Sequence, residues 1–432
     1  MKSRASIAYG FLALIALGAA VLACPWARAD GRCGGVLESL FTSFSAVCVT
    51  GLTVVDIGST YSFAGQCVLL ALVEIGCLGL MTCGTFLLVA IGRRLSLSRE
   101  FSLKNAYGVA QISGLRGLIL WIVGSMVTVE AVGAVALYFH FGSVYESVFY
   151  SVMGFCNSGF GLEPDSLRTF ADSPFFLFVM AVETILGGIG FLVIYNICTY
   201  RFLRRPAGGK GRIALHTKVV LRFTLYLLVI AFAVYLLAEW NGVLAGMPVA
   251  KKLSVGFYQA VTPTEELSPV VRFAYMILMF IGGAPGSAAA GMKLTTFAVL
   301  LYTAAAMCRG ETETTIYERA IPTDIVRESV VIPMALVAFA AIVAGALLVT
   351  ESGALAKGAV AFESLVFEAV SAITTTGLSV GTTTRDLSVA GKCVIMAAMF
   401  IGRLGALTVV MMIGDRESTR HLRYPTEELV VG

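Results

Sequence analysis

Apolar residues fill eight long blocks of the chain, near 7–24, 66–92, 117–138, 174–200, 219–238, 270–307, 329–350 and 390–414. A helix crossing a bilayer needs about 20 predominantly apolar residues. The sixth block is too long for one crossing and is interrupted by glycines. Shorter apolar segments recur between the blocks: Val36–Val49, Val144–Cys156, Leu253–Val261 and Ala359–Ile373. Each is too short to cross and reads as a re-entrant segment. Non-helical backbone at that depth is tolerated only inside protein or beside a water-filled cavity. The pattern therefore predicts an all-α membrane protein. Its eight transmembrane helices form four helix–pore loop–helix repeats, in a pseudo-fourfold arrangement around a central pore. The expected divisions are 1–100, 101–212, 213–320 (with a broken second helix) and 321–432, the last including a tail.

Internal phase strengthens this reading. Phe41 precedes Gly51 by ten residues, as Phe149 precedes Gly159 and Phe367 precedes Gly377. The following spans carry glycine pairs, Gly76 and Gly79, Gly187 and Gly190, Gly402 and Gly405. The separations from loop glycine to first span glycine are 25, 28 and 25. Each repeat has two spans, so all four face the same way. Inverted transporter repeats have opposite topology, whereas like-facing units suit a ring about one axis.

Charge then orients the chain. Lys and Arg number 20 in 1–6, 93–116, 201–222, 308–327 and 415–432, against 7 in the alternate loops. The positive-inside rule places both termini in the cytoplasm and opens the re-entrant loops outward. Lys2, Arg4, an apolar run and Ala27-Arg28-Ala29 also resemble a signal peptide, but eight spans with a basic N-terminus fit the asymmetry better. The formal net charge of +4 is too small to suggest a nucleic-acid partner. The ten cysteines mostly lie in apolar runs and read as packing, with Cys24 and Cys33 the one pair that could meet. His140, His216 and His421 are scattered, with no nucleophile–base pair or metal-ligand spacing, so the sequence does not read as an enzyme.

The polar stretch after each re-entrant segment carries candidate chemistry. An ion entering a bilayer must exchange its water shell for other oxygens, and backbone carbonyls supply them without net charge. Aiming carbonyls at an axis requires unusual backbone angles, which glycine adopts at little steric cost. Val49-Thr50-Gly51, Asn157-Ser158-Gly159 and Thr375-Thr376-Gly377 meet that requirement. Each follows a short helix whose C-terminal dipole favours a cation. A divalent-cation pore would more readily use acidic rings.

These segments resemble the Trk/Ktr/HKT superfamily of potassium transporters, and among them the membrane subunits of bacterial Ktr systems. The resemblance rests on SAVCVTGLTVVD (45–56), GFCNSGFGL (154–162), FIGGAPGSAAAGMKLTTF (280–297), SAITTTGLSVG (371–381), FIGRLG (400–405) and RYPTEELVVG (423–432). It implies potassium uptake through a channel-like pore in the cell membrane and a selectivity filter at the nine residues above. It further implies a homodimer with one pore per protomer and a cytosolic RCK-type nucleotide-binding ring (KtrA-like). No cofactor is expected in the chain. Potassium is the transported ion, and sodium is an activator in some members. The resemblance also makes Gly282, Gly283, Gly286, Ser287 and Gly291 a flexible gate loop beneath the filter.

Lys293 and Arg403 are intramembrane charges, which are functional hypotheses by default. Arg403 should face the cavity or an acidic partner. By resemblance it is an electrostatic barrier at the gate, with a structural salt bridge as the alternative. Glu74 and Glu183 read as packing or helix-pairing groups.

The third repeat departs from the pattern. Ten residues after Phe257 stands Leu267, not glycine, and Gly282 follows after only 15. About ten residues are missing, including the third filter strand. Glu265 and Glu266 would then stand near the outer mouth. Three outcomes are open: potassium conduction with weaker selectivity, admission of sodium as readily, or a non-conducting assembly subunit.

Overall fold

The computed structural model describes residues 2–79, 82–83, 86, 115–163, 170, 173–202, 213–262, 267–380, 383–405 and 408–409. Its helices are α1 (Lys2–Leu22), α2 (Val36–Cys48), α3 (Phe63–Leu78), α4 (Leu115–Phe141), α5 (Val144–Cys156), α6 (Pro174–Ile189), α7 (Phe191–Phe202), α8 (Leu215–Glu239), α9 (Val249–Val261), α10 (Pro269–Met279), α11 (Leu294–Cys308), α12 (Thr323–Thr350), α13 (Phe362–Thr374) and α14 (Val389–Leu404). A few single turns and a two-stranded hairpin (Thr315–Ile316 with Arg319–Ala320) complete the described structure.

Three helices are individually long and apolar enough to cross a membrane: Gly117–Phe141, Leu215–Glu239 and Thr323–Thr350. Large apolar side chains such as Val135, Phe139, Leu237, Ile342 and Val349 remain exposed on them. Helices that are apolar all round and bare on their outer face suit lipid rather than water.

The sequence predicts a break only in the sixth apolar block. The structure breaks every second span at a corresponding point. Helix α3 ends at Gly79 and α14 at Gly405, and α6 and α7 meet at Gly190 with a 94° bend. All three glycines have positive φ, between 77° and 86°, a region that side-chain-bearing residues adopt at a cost. In the sixth block the break lengthens to the loop between Met279 and Leu294.

Helices α2, α5, α9 and α13 each have 13 residues. Helices α2, α5 and α13 pack against the helices before and after them in sequence, whereas α9 packs on α8 and meets α10 through the Tyr275 hydroxyl, which donates to the Gln259 carbonyl. All four pack against the second span of the preceding unit. Thus α3 packs on α5, α6 on α9, α10 on α13, and α14 returns to α2.

Two fixed points locate each second span. A serine precedes it (Ser62, Ser173, Ser268, Ser388), and a glycine follows that serine after fourteen residues (Gly76, Gly187, Gly282, Gly402). The end of the first span, or the turn just after it, holds the serine. Ser62 donates to the Trp26 carbonyl at 2.7 Å, and Ser173 meets His140 Nδ1 at 3.3 Å. The Ser268 amide donates to Glu239 at 3.0 Å, and the Ser388 hydroxyl to Glu351 at 2.6 Å.

The glycine solves a packing problem. A Cβ on Gly76, Gly187 or Gly402 would overlap the carbonyl oxygen of Val47, Phe155 or Ile373, respectively. These carbonyls occupy the same position in α2, α5 and α13, so each second span touches the backbone of its own short helix. Gly188, one residue along, has only an ordinary 3.7 Å contact at its Cβ position. Gly187→Ala should therefore destabilise the protein by about 1–3 kcal/mol through overpacking. Gly188→Ala should be neutral or slightly stabilising. Thermal unfolding in detergent, followed by tryptophan fluorescence, distinguishes the two.

Candidate functional site: the convergent loops and the broken sixth block

Helices α2, α5 and α13 end identically. Val49, Asn157 and Thr375 adopt the left-handed conformation, with φ of 54°, 55° and 49°. The next amide reaches back five residues, Thr50 to Ser45 at 2.8 Å, Ser158 to Met153 at 3.1 Å and Thr376 to Ser371 at 2.9 Å. This is the six-to-one bond of a Schellman ending, whose left-handed residue is normally glycine. Valine and threonine there are held against a cost of roughly 1–3 kcal/mol each, the kind of strain that clusters at functional sites. Gly51, Gly159 and Gly377 follow two residues later, again with positive φ.

The three segments converge. A Cβ on Gly51 would overlap the Ser158 carbonyl, and one on Gly377 would overlap that of Thr50. One on Gly159 would lie 3.8 Å from Gly51 Cα. The structure thus brings all nine expected filter residues together. Side chains brace them from behind. The Asn157 amide nitrogen donates to the Gly154 and Thr184 carbonyls, both at 3.1 Å. Glu368, fully buried, accepts from the Ser379 hydroxyl and from that of Thr384 at 2.8 Å.

The third unit differs, and the sequence reading of its register needs correction. Phe257 is the ninth residue of α9, whereas Phe41, Phe149 and Phe367 are each the sixth of their helices. Aligned by helix ends, Thr262 corresponds to the left-handed residues, and Thr264 rather than Leu267 to the loop glycines. The connection from α9 to α10 has seven residues, against fourteen after α2 and α13 and seventeen after α5. The shortening is therefore seven residues relative to units one and four. Thr262 is extended, with φ −139° and ψ 91°. Thr264, Glu265 and Glu266 lie outside the described residues. The shortened unit also lacks the first-turn acid that α2, α5 and α13 carry as Glu38, Glu146 and Glu363. Lys251 and Lys252 stand there instead, and Lys252 bonds the Trp240 carbonyl at 2.9 Å.

The loop after α10 is closely tied. Its ends pair through Gly282 to Met292 at 2.8 Å and Met292 to Phe280 at 3.1 Å. It is stitched to the break after α6: Ala284 donates to the Gly188 carbonyl at 3.0 Å, Ala288 to that of Gly187 at 3.2 Å, and Phe191 to that of Gly286 at 3.1 Å. Gly282 and Gly283 leave no room for a Cβ, and Gly286 and Gly291 have positive φ. The Ser287 hydroxyl reaches the Ala289 carbonyl at 3.4 Å, and Lys293 donates to the same carbonyl at 2.7 Å.

Arg403 completes this assembly beside the loop, and not through the salt bridge that the sequence offered as an alternative. No acidic partner meets it among the described residues. It donates to the Ala288 carbonyl at 2.9 Å and to the Gly76 carbonyl, joining the loop of unit three to the span of unit one. A cavity of about 340 Å³ separates the filter segments from the loop. Asn157, Gly159 and Thr375 line one side and Gly282, Gly283 and Ala290 the other.

The family model described as TrkH, cation transport protein, matches residues 25–419. The chain belongs to the TrkH cation transport family. It is 33% identical to the potassium/sodium uptake protein NtpJ of Enterococcus hirae, over 99% of this chain and 96% of that protein. It is 32% identical to the Ktr system potassium uptake protein B of Bacillus subtilis, with the same coverage. The crystal structure of the potassium transporter TrkH from Vibrio parahaemolyticus shares the fold, with a TM-score of 0.68 at 17% identity, covering 94% of this chain and 84% of that one. As a TrkH-family member with exposed apolar helices, the chain is a multi-pass membrane protein and not an enzyme.

Sequence reasoning missed the serine caps and the buried braces. Their signal was present in the constant serine-to-glycine interval, which persists in unit three where the filter glycine does not. Glu183 did have a partner: its buried carboxylate accepts from the Ser151 hydroxyl behind the unit-two loop and lies where a side chain on Gly133 would otherwise sit. Cys24 and Cys33 are free thiols.

Gly51→Ala and Gly377→Ala are expected to abolish rubidium uptake without preventing membrane insertion, because a methyl group at either position meets the neighbouring strand's backbone. Gly159→Ala faces only conformational strain and should retain a measurable fraction. Uptake normalised to membrane-inserted protein tests the ranking.

Proposed function

We propose that this chain is the membrane subunit of a potassium-uptake system and conducts the ion through a channel-like pore. The observation that carries this reading is the convergence of three strained helix endings, each followed by a left-handed glycine. Backbone carbonyls held this way can replace a hydration shell without net charge. The family membership and the names of the two bacterial relatives support potassium as cargo.

The finer architecture follows the same reading. Eight spans form four repeats, 1–100, 101–212, 213–320 and 321–432, in a pseudo-fourfold ring. The closed circuit of second spans on neighbouring short helices supports it. Val49, Thr50, Gly51, Asn157, Ser158, Gly159, Thr375, Thr376 and Gly377 act as the filter. The loop carrying Gly282, Gly283, Gly286, Ser287 and Gly291 acts as the gate, with Lys293 and Arg403 as positive charges beside it. Both termini lie in the cytoplasm of a bacterial cell. The subunit forms a homodimer on a KtrA-like cytosolic ring, which supplies the nucleotide control, and sodium acts as an activator. Inward movement gains about 2.3 kcal/mol per charge per 100 mV of membrane potential.

The shortened third unit favours a second reading, in which selectivity is relaxed toward sodium or conduction is lost and the chain serves in assembly. Three strands offer about a quarter fewer carbonyl ligands than four. Expression in a potassium-uptake-deficient bacterial strain separates the readings. Rubidium uptake little affected by a tenfold excess of sodium supports a potassium-selective pore. Equal competition by sodium establishes relaxed selectivity. Normal membrane insertion with no flux, alone or with a cognate ring subunit, overturns the transport reading.

A further inference from the structure

Three carboxyl groups that the transport reading leaves unused lie inside the joint between units one and two. Glu74 on α3, Glu130 on α4 and Glu183 on α6 converge behind α5, and none of them lines the cavity beneath the loops. Glu130 is 7% exposed and Glu183 2%. Two glycines make the room. A Cβ on Gly133 would overlap the Glu183 carboxylate, and one on Gly154 would crowd it at 3.0 Å.

Hydrogen-bond donors are too few here for the acceptors. The Ser151 hydroxyl has one proton, and it stands within reach of both the Glu183 carboxylate and the Glu130 backbone carbonyl, the latter at 2.7 Å. It has no second proton to give. Glu130 Oε1 and Glu183 Oε2 are buried and receive no hydrogen bond. The Glu130 carboxyl instead meets that of Glu74, the two groups in hydrogen-bond contact. Among the described residues no Lys, Arg or His forms an ion pair with any of the three. Arg403 is committed to the Gly76 and Ala288 carbonyls. The other titratable groups facing the cluster are thiols, Cys77 and Cys83 from unit one and Cys156 from α5. Tyr195 on α7 is turned to Trp121.

Two ionised carboxylates out of water do not stay in contact unless something positive lies between them, a proton or a metal ion. A hard metal ion gathers several oxygens about itself. Among the described residues no group of three acids, thiols or imidazoles is spaced to hold one. A proton needs only the two oxygens that touch. We propose that the joint between units one and two is a proton-binding site, in which Glu74 and Glu130 share one resident proton at neutral pH. The pair then carries one negative charge instead of two. The site does not require ion conduction, so it stands or falls independently of the transport reading.

Infrared spectroscopy of the purified chain tests it, in dodecyl maltoside, a detergent without carbonyl groups. An un-ionised carboxylic acid and a carboxylate absorb at separate frequencies. The difference between the parent and the double variant, Glu74→Gln with Glu130→Gln, therefore counts what has been removed. The expected loss at neutral pH is one acid band and one carboxylate band. Each single variant should remove or move that same acid band, and Glu183→Gln should leave it in place. Glutamine matches glutamic acid in shape and keeps a hydrogen-bond donor, and a thermal unfolding midpoint close to that of the parent confirms that each variant is folded. Should the double variant misfold, the single variants decide, and one acid band common to both supports the proposal. Loss of carboxylate bands alone means a pair ionised around a metal ion. Loss of two different acid bands means two independent acids, and loss of the band with Glu183→Gln places the proton elsewhere. Each of these three outcomes overturns the proposal.

Discussion

The structure depends on one contact made three times: a span glycine lying against the carbonyl two residues before the left-handed end of a short helix. Gly76 on Val47, Gly187 on Phe155 and Gly402 on Ile373 set how far each short helix reaches inward. A methyl group at any of them would push the helix end away by more than the packing can absorb. The serine fourteen residues earlier fixes the other end of the same span. Between these two points the span acts as a gauge, and the loop hung from the short helix inherits its position. The strained conformations of Val49, Asn157 and Thr375 persist because both sides are fixed.

Unit three shows what happens when the gauge is kept and the loop is not. Ser268 and Gly282 stand at the usual interval, but Gly282 packs on Ala290 of its own loop instead of on a short-helix carbonyl. Helix α9 is relaxed at its end, extended at Thr262, and carries lysines where the other short helices carry an acid. Acids near a helix N-terminus favour the dipole, and lysines there oppose it. The unit's span is given over to other partners: its broken middle binds the α6–α7 break through three backbone bonds and receives Arg403 from α14.

Much of this was legible in the sequence. The Phe-to-Gly phase located three of the four short helices to within a few residues, because their inner turns are buried and keep a large phenylalanine at a fixed distance from the loop glycine. The glycine-rich stretch 282–291 stood out because no regular helix accommodates so many glycines. The register of unit three was misread because Phe257 was matched by residue type, and only the helix ends reveal that it sits nearly a turn late. The partners of Arg403 were not legible at all. Backbone carbonyls carry no sequence signature, and Gly76 lies 327 residues away. The same holds for the bend at Gly190, whose stability comes from a loop nearly a hundred residues downstream.

The asymmetric cavity has a consequence for the route itself. The loop glycines gather on one side, and the open volume lies on the other, against α8 and α10. Under the proposed transport reading, a particle leaving the convergent strands would not descend a centred shaft. Its path would be eccentric, along a wall that includes Leu227, Leu228, Leu278 and Met279.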